Sequence, residues 1–230
     1  MAIYAISDLH LSFCSNKPMD IFGWSNYEEK IKIDWLEKVK EEDLVLLPGD
    51  FSWSMDLKET EQDFRFIEEL PGRKLLLKGN HDYWWNTVTS MRRFLKEKNI
   101  NSIDFLYNNS YVYNNMIICG SRGWNIAEKD IENQKIYKRE VERLKMSLEQ
   151  GMKQYDKSKK MMVCMHYPPI KENMVSEFEK LMFQYPVSKC IYGHLHGPSH
   201  AFVIEGDRHG IEYTMVSCDY TGFKLVKIEE

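Results

Sequence analysis

Lys74-Leu75-Leu76-Leu77-Lys78-Gly79-Asn80-His81-Asp82 is the stretch of sequence that decides the fold. Its short apolar run favours a buried strand, and Gly79 permits the sharp turn by which the backbone leaves a sheet. The polar residues that follow Gly79 therefore lie at the carboxyl end of the strand. In open α/β sheets this is the end at which ligands bind. The stretch predicts a strand that delivers an amide, an imidazole and a carboxylate to a functional site.

Four further apolar runs end in the same way. The polar blocks are Asp8-Leu9-His10 after residues 3–6, Gly49-Asp50 after residues 44–47, His166 after residues 161–165, and Gly193-His194-Leu195-His196 after residues 189–192. Because ligands collect at the carboxyl ends of the strands of such a sheet, we expect all five loops to converge on one site. His200 and His209 match no block and are expected on the surface or in loops.

The spacing within these blocks suits metal binding. Asp8 and His10 are two residues apart, as are His194 and His196, so in an extended segment each pair points to one side and can reach one ion. Carboxylate, amide and imidazole ligands without thiolate suit Mn²⁺, Fe or Zn²⁺ and disfavour a closed structural zinc site. A single block of this kind occurs in many surface turns. The ordered set of five behind five apolar runs favours a metal site with open positions for hydrolysis.

Apolar runs alternate with amphipathic helical patterns along most of the chain, which is typical of an α/β fold. Ser25 and Glu28 form a capping box that predicts the start of a helix. Towards the end of the chain, residues 201–204, 211–216 and 223–228 alternate as antiparallel strands do. No repeat or linker divides the sequence, so residues 1–230 are predicted to form a single domain.

A highly charged segment over about residues 125–155 keeps one apolar face and predicts a long surface helix. Asn125 and Glu128 are the candidate cap of this helix. The segment follows Trp124 directly and is too long for a simple connection, so we expect it to cover the site in part. The alternative is that the helix only covers a sheet face or supports a dimer.

Composition narrows the class of protein. The chain has 230 residues, of which 43% are apolar, and 31 Lys and Arg face 35 Asp and Glu for a net charge of -4. This acidic balance disfavours nucleic acid as a partner. No run approaches the roughly 18 apolar residues of a membrane span, and the first residues lack the pattern of a signal peptide, so we expect a cytoplasmic protein. The sequence carries no signal for an oligomeric state.

The five cysteines are odd in number and form no Cys-x-x-Cys pair. Neither a disulfide framework nor a zinc ribbon is indicated by this spacing. Cys119, Cys164 and Cys190 stand in apolar runs and are expected to be small buried residues in a reducing compartment.

The five blocks, in their order along residues 8–196, resemble those of the calcineurin-like metallophosphoesterases. Within that superfamily the chain is most similar to small bacterial proteins described only as predicted phosphohydrolases. The segments that carry this closer similarity are Lys17-Pro18-Met19-Asp20-Ile21-Phe22-Gly23 and His166-Tyr167-Pro168-Pro169. The resemblance implies a four-layer α-β-β-α sandwich, with two mixed sheets flanked by helices, and a centre for two divalent metal ions.

The resemblance also implies roles for individual residues. By position in the motifs, the first ion is held by Asp8, His10 and His196, the second by Asn80, His166 and His194, and Asp50 bridges the two. His81 corresponds to the family histidine that faces the scissile phosphoester, and Asp82 is placed to orient its ring. The implied nucleophile is a hydroxide between the two ions. These ions are expected to be Mn or Fe, with Zn as a further candidate.

One block departs from the pattern of the protein-phosphatase branch of the family. That branch has Gly-Asp-x-x-Asp-Arg, whereas this chain has Gly49-Asp50-Phe51-Ser52-Trp53-Ser54 and lacks both the second aspartate and the arginine. A phosphate-binding arginine must then come from elsewhere or be absent, which disfavours a phosphoserine or phosphothreonine phosphatase. Arg122, in a loop after a predicted strand, is the candidate replacement. The alternative is an ordinary surface arginine.

These observations predict a metal-dependent phosphohydrolase that acts on a small phosphomonoester or phosphodiester. A non-catalytic scaffold of the same fold is one alternative, although such proteins have lost metal ligands and none is missing here. A nuclease is the other, and it would carry a basic or aromatic track for the nucleic acid.

Overall fold

The computed structural model describes residues 1–15, 17–125 and 130–230. Its first sheet has five strands, in the order β11, β1, β2, β3 and β4. The strands are β1 (Ile3–Ala5), β2 (Leu44–Pro48), β3 (Arg73–Leu77), β4 (Ile103–Leu106) and β11 (Val226–Glu229). The first four run parallel to one another, and β11 is antiparallel to β1. The carboxyl ends of β1, β2 and β3 therefore lie side by side.

The second sheet has six strands, in the order β5, β6, β7, β8, β10 and β9. They are β5 (Tyr111–Tyr113), β6 (Met116–Ser121), β7 (Lys160–Met165), β8 (Val187–Tyr192), β9 (Gly206–Arg208) and β10 (Ile211–Met215). The four central strands are parallel, and only the edge strands β5 and β9 are antiparallel to their neighbours. The loops after β7 and β8 thus leave this sheet at one end.

Five α-helices complete the fold in the described part of the chain: α1 (Tyr27–Lys38), α2 (Glu61–Glu68), α3 (Val88–Glu97), α4 (Ile131–Met152) and α5 (Glu177–Met182). One apolar cluster packs side chains such as Ile3, Leu46 and Leu75 of the first sheet against Ile118 and Met162 of the second. A second cluster lies between the first sheet and helices α1 to α3, and a third lies between the second sheet and helices α4 and α5. The predicted four-layer α-β-β-α sandwich of two mixed sheets is confirmed.

Several local predictions were wrong or incomplete. Helix α1 follows Asn26, which has φ of 50° and no side-chain cap bond, so the Ser25–Glu28 capping box does not form. Helix α4 begins after Asp130, whose side chain accepts a hydrogen bond from the Asn133 N–H, and the expected cap residue Glu128 lies outside the described residues. The strand expected at residues 201–204 does not form: residues 201–202 end a 3₁₀ helix, Gly197–Phe202, because the chain turns directly after the polar block, and residues 203–204 have no regular structure.

The main body of α4 is packed on the outer face of the second sheet. Leu144 and Leu148 are buried in the cluster that contains Ile117 and Cys119 of β6. This is the sheet-covering arrangement that was the alternative to a lid. That Trp124 and the helical segment at about residues 125–155 cover the site in part stays a prediction.

The loops after β2 and β3 are joined by the buried carboxylate of Asp82. It accepts hydrogen bonds from the backbone N–H groups of Asp50, Phe51, Ser52 and Gly79, and from the Trp84 indole. The two loops also touch directly, because a Cβ on Gly79 would overlap the backbone N and the carboxylate of Asp50. Gly79 is therefore required for the close approach of these loops.

Asp82→Asn should destabilise the protein strongly, because an amide cannot accept bonds at both of its positions and leaves buried donors unsatisfied. We expect a loss of about 3 kcal/mol in the free energy of unfolding, since each buried unsatisfied donor costs about 1–3 kcal/mol. Urea unfolding in excess EDTA measures this without a contribution from metal binding. Asp207→Asn on exposed β9 is the matched control and should change stability by less than about 0.5 kcal/mol. Equal small losses in both variants would refute the role of Asp82.

Candidate metal centre

The polar blocks predicted to converge do so at the carboxyl ends of the strands. Ligand atoms of Asp8, His10 and His196 lie within 4.8 Å of one another, and so do those of Asp50, His166 and His194. These two groups correspond to the two ion sites that the sequence predicted, apart from Asn80 and the bridging position of Asp50. Each group combines a carboxylate oxygen with two imidazole nitrogens, which is a donor set for Mn²⁺, Fe or Zn²⁺.

Asp50 belongs to the second group and also approaches His10 of the first group. Its Oδ2 atom is 3.8 Å from His10 Nε2 on one side and 3.5 Å from His166 Nε2 on the other. Its Oδ1 atom accepts a hydrogen bond of 2.8 Å from the backbone N–H of His81. Asn80 Oδ1 is 2.7 Å from His166 Nε2, which puts the amide beside the second group. One oxygen of Asp50 is thus held by the loop, and the other faces both groups.

The backbone of the ligand loops has an unusual conformation. Asp8, His10, Asp50 and His194 all have left-handed φ values, of 59°, 46°, 49° and 75°. Non-glycine residues rarely adopt this region, and such outliers collect at functional sites, where the surrounding structure maintains them. Four of the seven predicted ligands share this strain. Asp8 and His10 enter the first group and Asp50 and His194 the second, so the extended pairing expected for His194 and His196 at one ion is wrong.

Two imidazole rings are oriented by hydrogen bonds on the side away from the ligand groups. His166 Nδ1 is 3.0 Å from the carbonyl oxygen of Pro48, and His196 Nδ1 is 2.8 Å from Asp219 Oδ1. In both rings Nε2 is left to face the centre. A second partner of this type fixes the tautomer and orientation of a metal-binding histidine.

Asp219 was not predicted as a site residue. It follows β10 and Cys218 and so lies at the carboxyl end of another strand. This position is the feature of the sequence from which Asp219 could have been predicted as a site residue. Its Oδ2 atom lies 3.2 Å from His200 Nε2, so His200 contacts this outer part of the site. His209 is exposed in the turn between β9 and β10, as expected.

Burial and neighbouring charges shape the pKa values in the centre. Burial raises the pKa of Asp50 well above its usual value, and the charges of Asp8 and Asp82 raise it further. Burial lowers the pKa of His166 well below its usual value and that of His10 to about 3. Burial lowers the pKa of His196, but the neighbouring carboxylates of Asp219 and Asp8 outweigh burial and raise this pKa to about 10.

Unsatisfied polar atoms indicate that the residues fit metal ions. His10 Nδ1 and His196 Nε2 are buried and form no hydrogen bond within the described part of the chain. His194 Nδ1 and His166 Nε2 lie 3.2 Å apart, with Asp50 Oδ2 close to the latter. Buried polar atoms without partners are costly, and cations between these lone pairs would satisfy them. The arrangement fits two divalent ions.

His81 lies beside the centre, but Asp82 does not orient its ring. The Asp82 carboxylate is occupied by four backbone N–H groups and the Trp84 indole, so it holds the loops instead. The His81 ring packs against Trp53, with the ring centroids 4.5 Å apart. Burial, followed by the charges of His196 and Lys17, lowers the pKa of His81 against the opposing charge of Asp8.

Arg122 is not an ordinary surface arginine. Its guanidinium lies over the ring of Trp124, 4.5 Å from the centroid, and 3.3 Å from the buried Glu140 carboxylate of α4. Burial lowers the Arg122 pKa, and Glu140 acts against this. Trp124 in turn lies 5.3 Å from Tyr167, whose ring is 4.0 Å from that of His194. Arg122 therefore belongs to the contact between α4 and the edge of the site.

No helix in the described part of the chain is long and apolar enough to span a membrane. All five cysteines are unpaired, and Cys119, Cys164 and Cys190 are buried as expected.

Solved structures with the same fold share little sequence with this chain. A phosphopantetheinyl hydrolase from Mycobacterium tuberculosis is 13% identical with a TM-score of 0.56, over 99% of this chain and 95% of that one. A protein from Thermus thermophilus is 12% identical with a TM-score of 0.57, over 99% and 97%. A protein of unknown function from Aquifex aeolicus is 20% identical with a TM-score of 0.50, over 98% and 95%.

These identities are too low to carry more than the fold. No curated protein matches the chain. A family model does: the one described as calcineurin-like phosphoesterase matches residues 1–198, which include every predicted ligand. With this match and the two ligand groups at the strand ends, the chain belongs to the calcineurin-like phosphoesterase family.

Proposed function

We propose that the protein is a phosphohydrolase that uses two divalent metal ions to hydrolyse a small phosphomonoester or phosphodiester. The observation that carries the proposal is the position of Asp50, whose Oδ2 atom lies within 3.8 Å of His10 Nε2 and 3.5 Å of His166 Nε2. A carboxylate placed in this way can serve both ion sites at once. Membership of the phosphoesterase family supports the class of reaction.

In this proposal Asp8, His10 and His196 would hold one ion, Asn80, His166 and His194 would hold the other, and Asp50 would contribute to both sites. When bound, the ions would supply Lewis-acid stabilisation of the phosphoryl charge and would lower the pKa of a water molecule so that it can act as the nucleophile. The donor set favours Mn²⁺ or Fe and permits Zn²⁺. His81 gives a proton to the leaving oxygen or contacts the transferring phosphoryl group.

The alternatives differ in what they require of the chain. A non-catalytic scaffold needs no complete ligand set, yet all seven ligand positions are occupied by suitable side chains. A nuclease needs a cationic surface, and the net charge of -4 speaks against one. The unpaired cysteines fit a reducing compartment such as the cytoplasm, which we propose as the location.

Two ions should bind to each chain, because seven ligands form two groups that share Asp50. Protein loaded with Mn²⁺ and freed of excess metal should contain close to two ions by elemental analysis. Asp50→Ala should lower the content and abolish hydrolysis of 4-nitrophenyl esters. One ion per chain with full activity would contradict the two-ion site.

Asp219→Asn should weaken metal binding, because the His196 ring loses the carboxylate that orients it. Loss of such a partner costs about 10- to 100-fold in metal affinity. Competition with a fluorescent chelator measures the affinity for each ion, and only one of the two should weaken. Asp207→Asn serves again as the exposed control. Unchanged affinity for both ions would remove Asp219 from the site.

His81→Ala should keep both ions and lose activity unevenly. An alkoxide leaves poorly without a proton, and a positioned general acid contributes about 10²- to 10⁴-fold, whereas a nitrophenolate leaves without help. We therefore expect a much larger loss on an alkyl phosphoester than on a nitrophenyl ester. Large equal losses would indicate that His81 only contacts phosphate oxygens. Small equal losses would mean that it has no part in the reaction.

A further inference from the structure

Trp53 occupies the position where the protein-phosphatase pattern has its second aspartate. In the structure its ring stacks on His10, with centroids 4.7 Å apart and an interplanar angle of 22°. The Trp53 ring also packs against the His81 ring, with the ring centroids 4.5 Å apart and an interplanar angle of 54°. One indole thus contacts both a predicted metal ligand, His10, and the histidine that is predicted to face the substrate, His81. These contacts restrict the rotation of both imidazole rings.

The segment after β1 is anchored on the same indole. Trp53 Nε1 donates a hydrogen bond of 3.2 Å to the thioether sulfur of the buried Met19. Pro18, with φ of -67°, fixes the backbone between Met19 and Lys17. The ammonium group of Lys17 then lies over the Trp53 ring, 4.8 Å from its centroid. The Lys17-Pro18-Met19 motif is therefore packed against the residue that replaces the missing aspartate.

The charge of Lys17 is available, whereas that of Arg122 is already paired. Within the described residues no carboxylate forms an ion pair with Lys17, and its side chain is exposed. Arg122 contacts the buried Glu140 carboxylate, which also pairs with Arg143. Turning Arg122 to a substrate would leave Glu140 with one partner fewer in a buried position, which is costly. Lys17 incurs no such cost.

We propose that Lys17 and Trp53 replace the missing arginine and aspartate: Lys17 binds the anionic oxygens of the substrate phosphoryl group, and Trp53 positions Lys17 and His81. The inference rests on the proposed function for the identity of the substrate. A lysine is a compact cation that contacts phosphate as a point charge, so it does not demand the bidentate geometry of an arginine. The cation–π contact limits the positions that the ammonium group explores and keeps it on the ring that also packs against His81.

The experiment measures binding of inorganic phosphate to protein loaded with Mn²⁺, by isothermal titration and without turnover. Lys17→Gln should weaken phosphate binding by about tenfold, since it removes a charge-assisted contact. Lys17→Arg should restore most of the affinity. Lys30→Gln is the matched control, because Lys30 also lies over an aromatic ring, that of Phe223 at 5.2 Å, outside the metal centre. It should leave the affinity unchanged.

Trp53→Leu tests the positioning role. With both ions retained, it should weaken phosphate binding about as much as Lys17→Gln, and the double variant should lose little more than either single one. In hydrolysis of 4-nitrophenyl phosphate, Lys17→Gln should raise KM more than it lowers kcat. Additive losses in the double variant would mean that Trp53 does not act through Lys17.

Equal phosphate affinities for Lys17→Gln and Lys30→Gln would overturn the inference. So would a loss confined to Arg122→Ala, which would assign the phosphate contact to Arg122. These outcomes are independent of the proposed function. If the wild-type protein binds phosphate through Lys17 but hydrolyses no ester, the proposed hydrolase function is refuted and the proposed Lys17–phosphate contact is supported. If the enzyme is active and Lys17→Gln changes neither its activity nor its phosphate affinity, the proposed Lys17–phosphate contact is refuted and the proposed hydrolase function stands.

Discussion

The repulsion between buried carboxylates is the constraint on which the rest of the structure depends. Asp8 and Asp50 are almost fully buried at neighbouring strand ends, and the charge of Asp8 raises the pKa of Asp50. Burying charge is unfavourable unless an opposite charge or several hydrogen bonds compensate for it. Burial lowers the pKa values of His10, His166 and His194, which favours neutral rings that offer lone pairs, whereas for His196 the carboxylates of Asp219 and Asp8 outweigh burial and raise the pKa. Divalent cations are the partners that resolve both problems together.

The outer parts of the centre serve that arrangement. Ser7 and Ser217 donate to Asp8 Oδ2, which leaves Oδ1 near His196 Nε2 at 3.3 Å. Gly193 lies so close to Asp8 that a Cβ would overlap its carboxylate. Asp82 also fixes ligand positions, because its carboxylate joins the loops after β2 and β3 through hydrogen bonds from their backbone N–H groups. Side chains that touch no ion therefore decide where the ligand atoms stand, and the strained backbone at Asp8 and Asp50 is maintained by this surrounding structure.

Sequence reasoning predicted the strands that carry ligands because each is an apolar run followed by a polar block, and both signals are local. The sandwich came from the resemblance, and the structure confirms it. Asp219, Lys17 and Trp53 were missed as site residues for a different reason. Their roles depend on contacts between segments far apart in sequence, such as Trp53 with Met19, that no spacing reveals. The resemblance assigned Asp82 to the ring of His81, yet the Asp82 carboxylate is held by hydrogen bonds from backbone N–H groups.

The central claim is that Asp50 is shared by two metal ions. Anomalous scattering from crystals of the protein loaded with Mn²⁺ tests it most directly. The account predicts two peaks about 3.5–4 Å apart, both within bonding distance of Asp50 Oδ2, with Asp8, His10 and His196 around one and Asn80, His166 and His194 around the other. A single peak, or two peaks of which only one contacts Asp50, would contradict it.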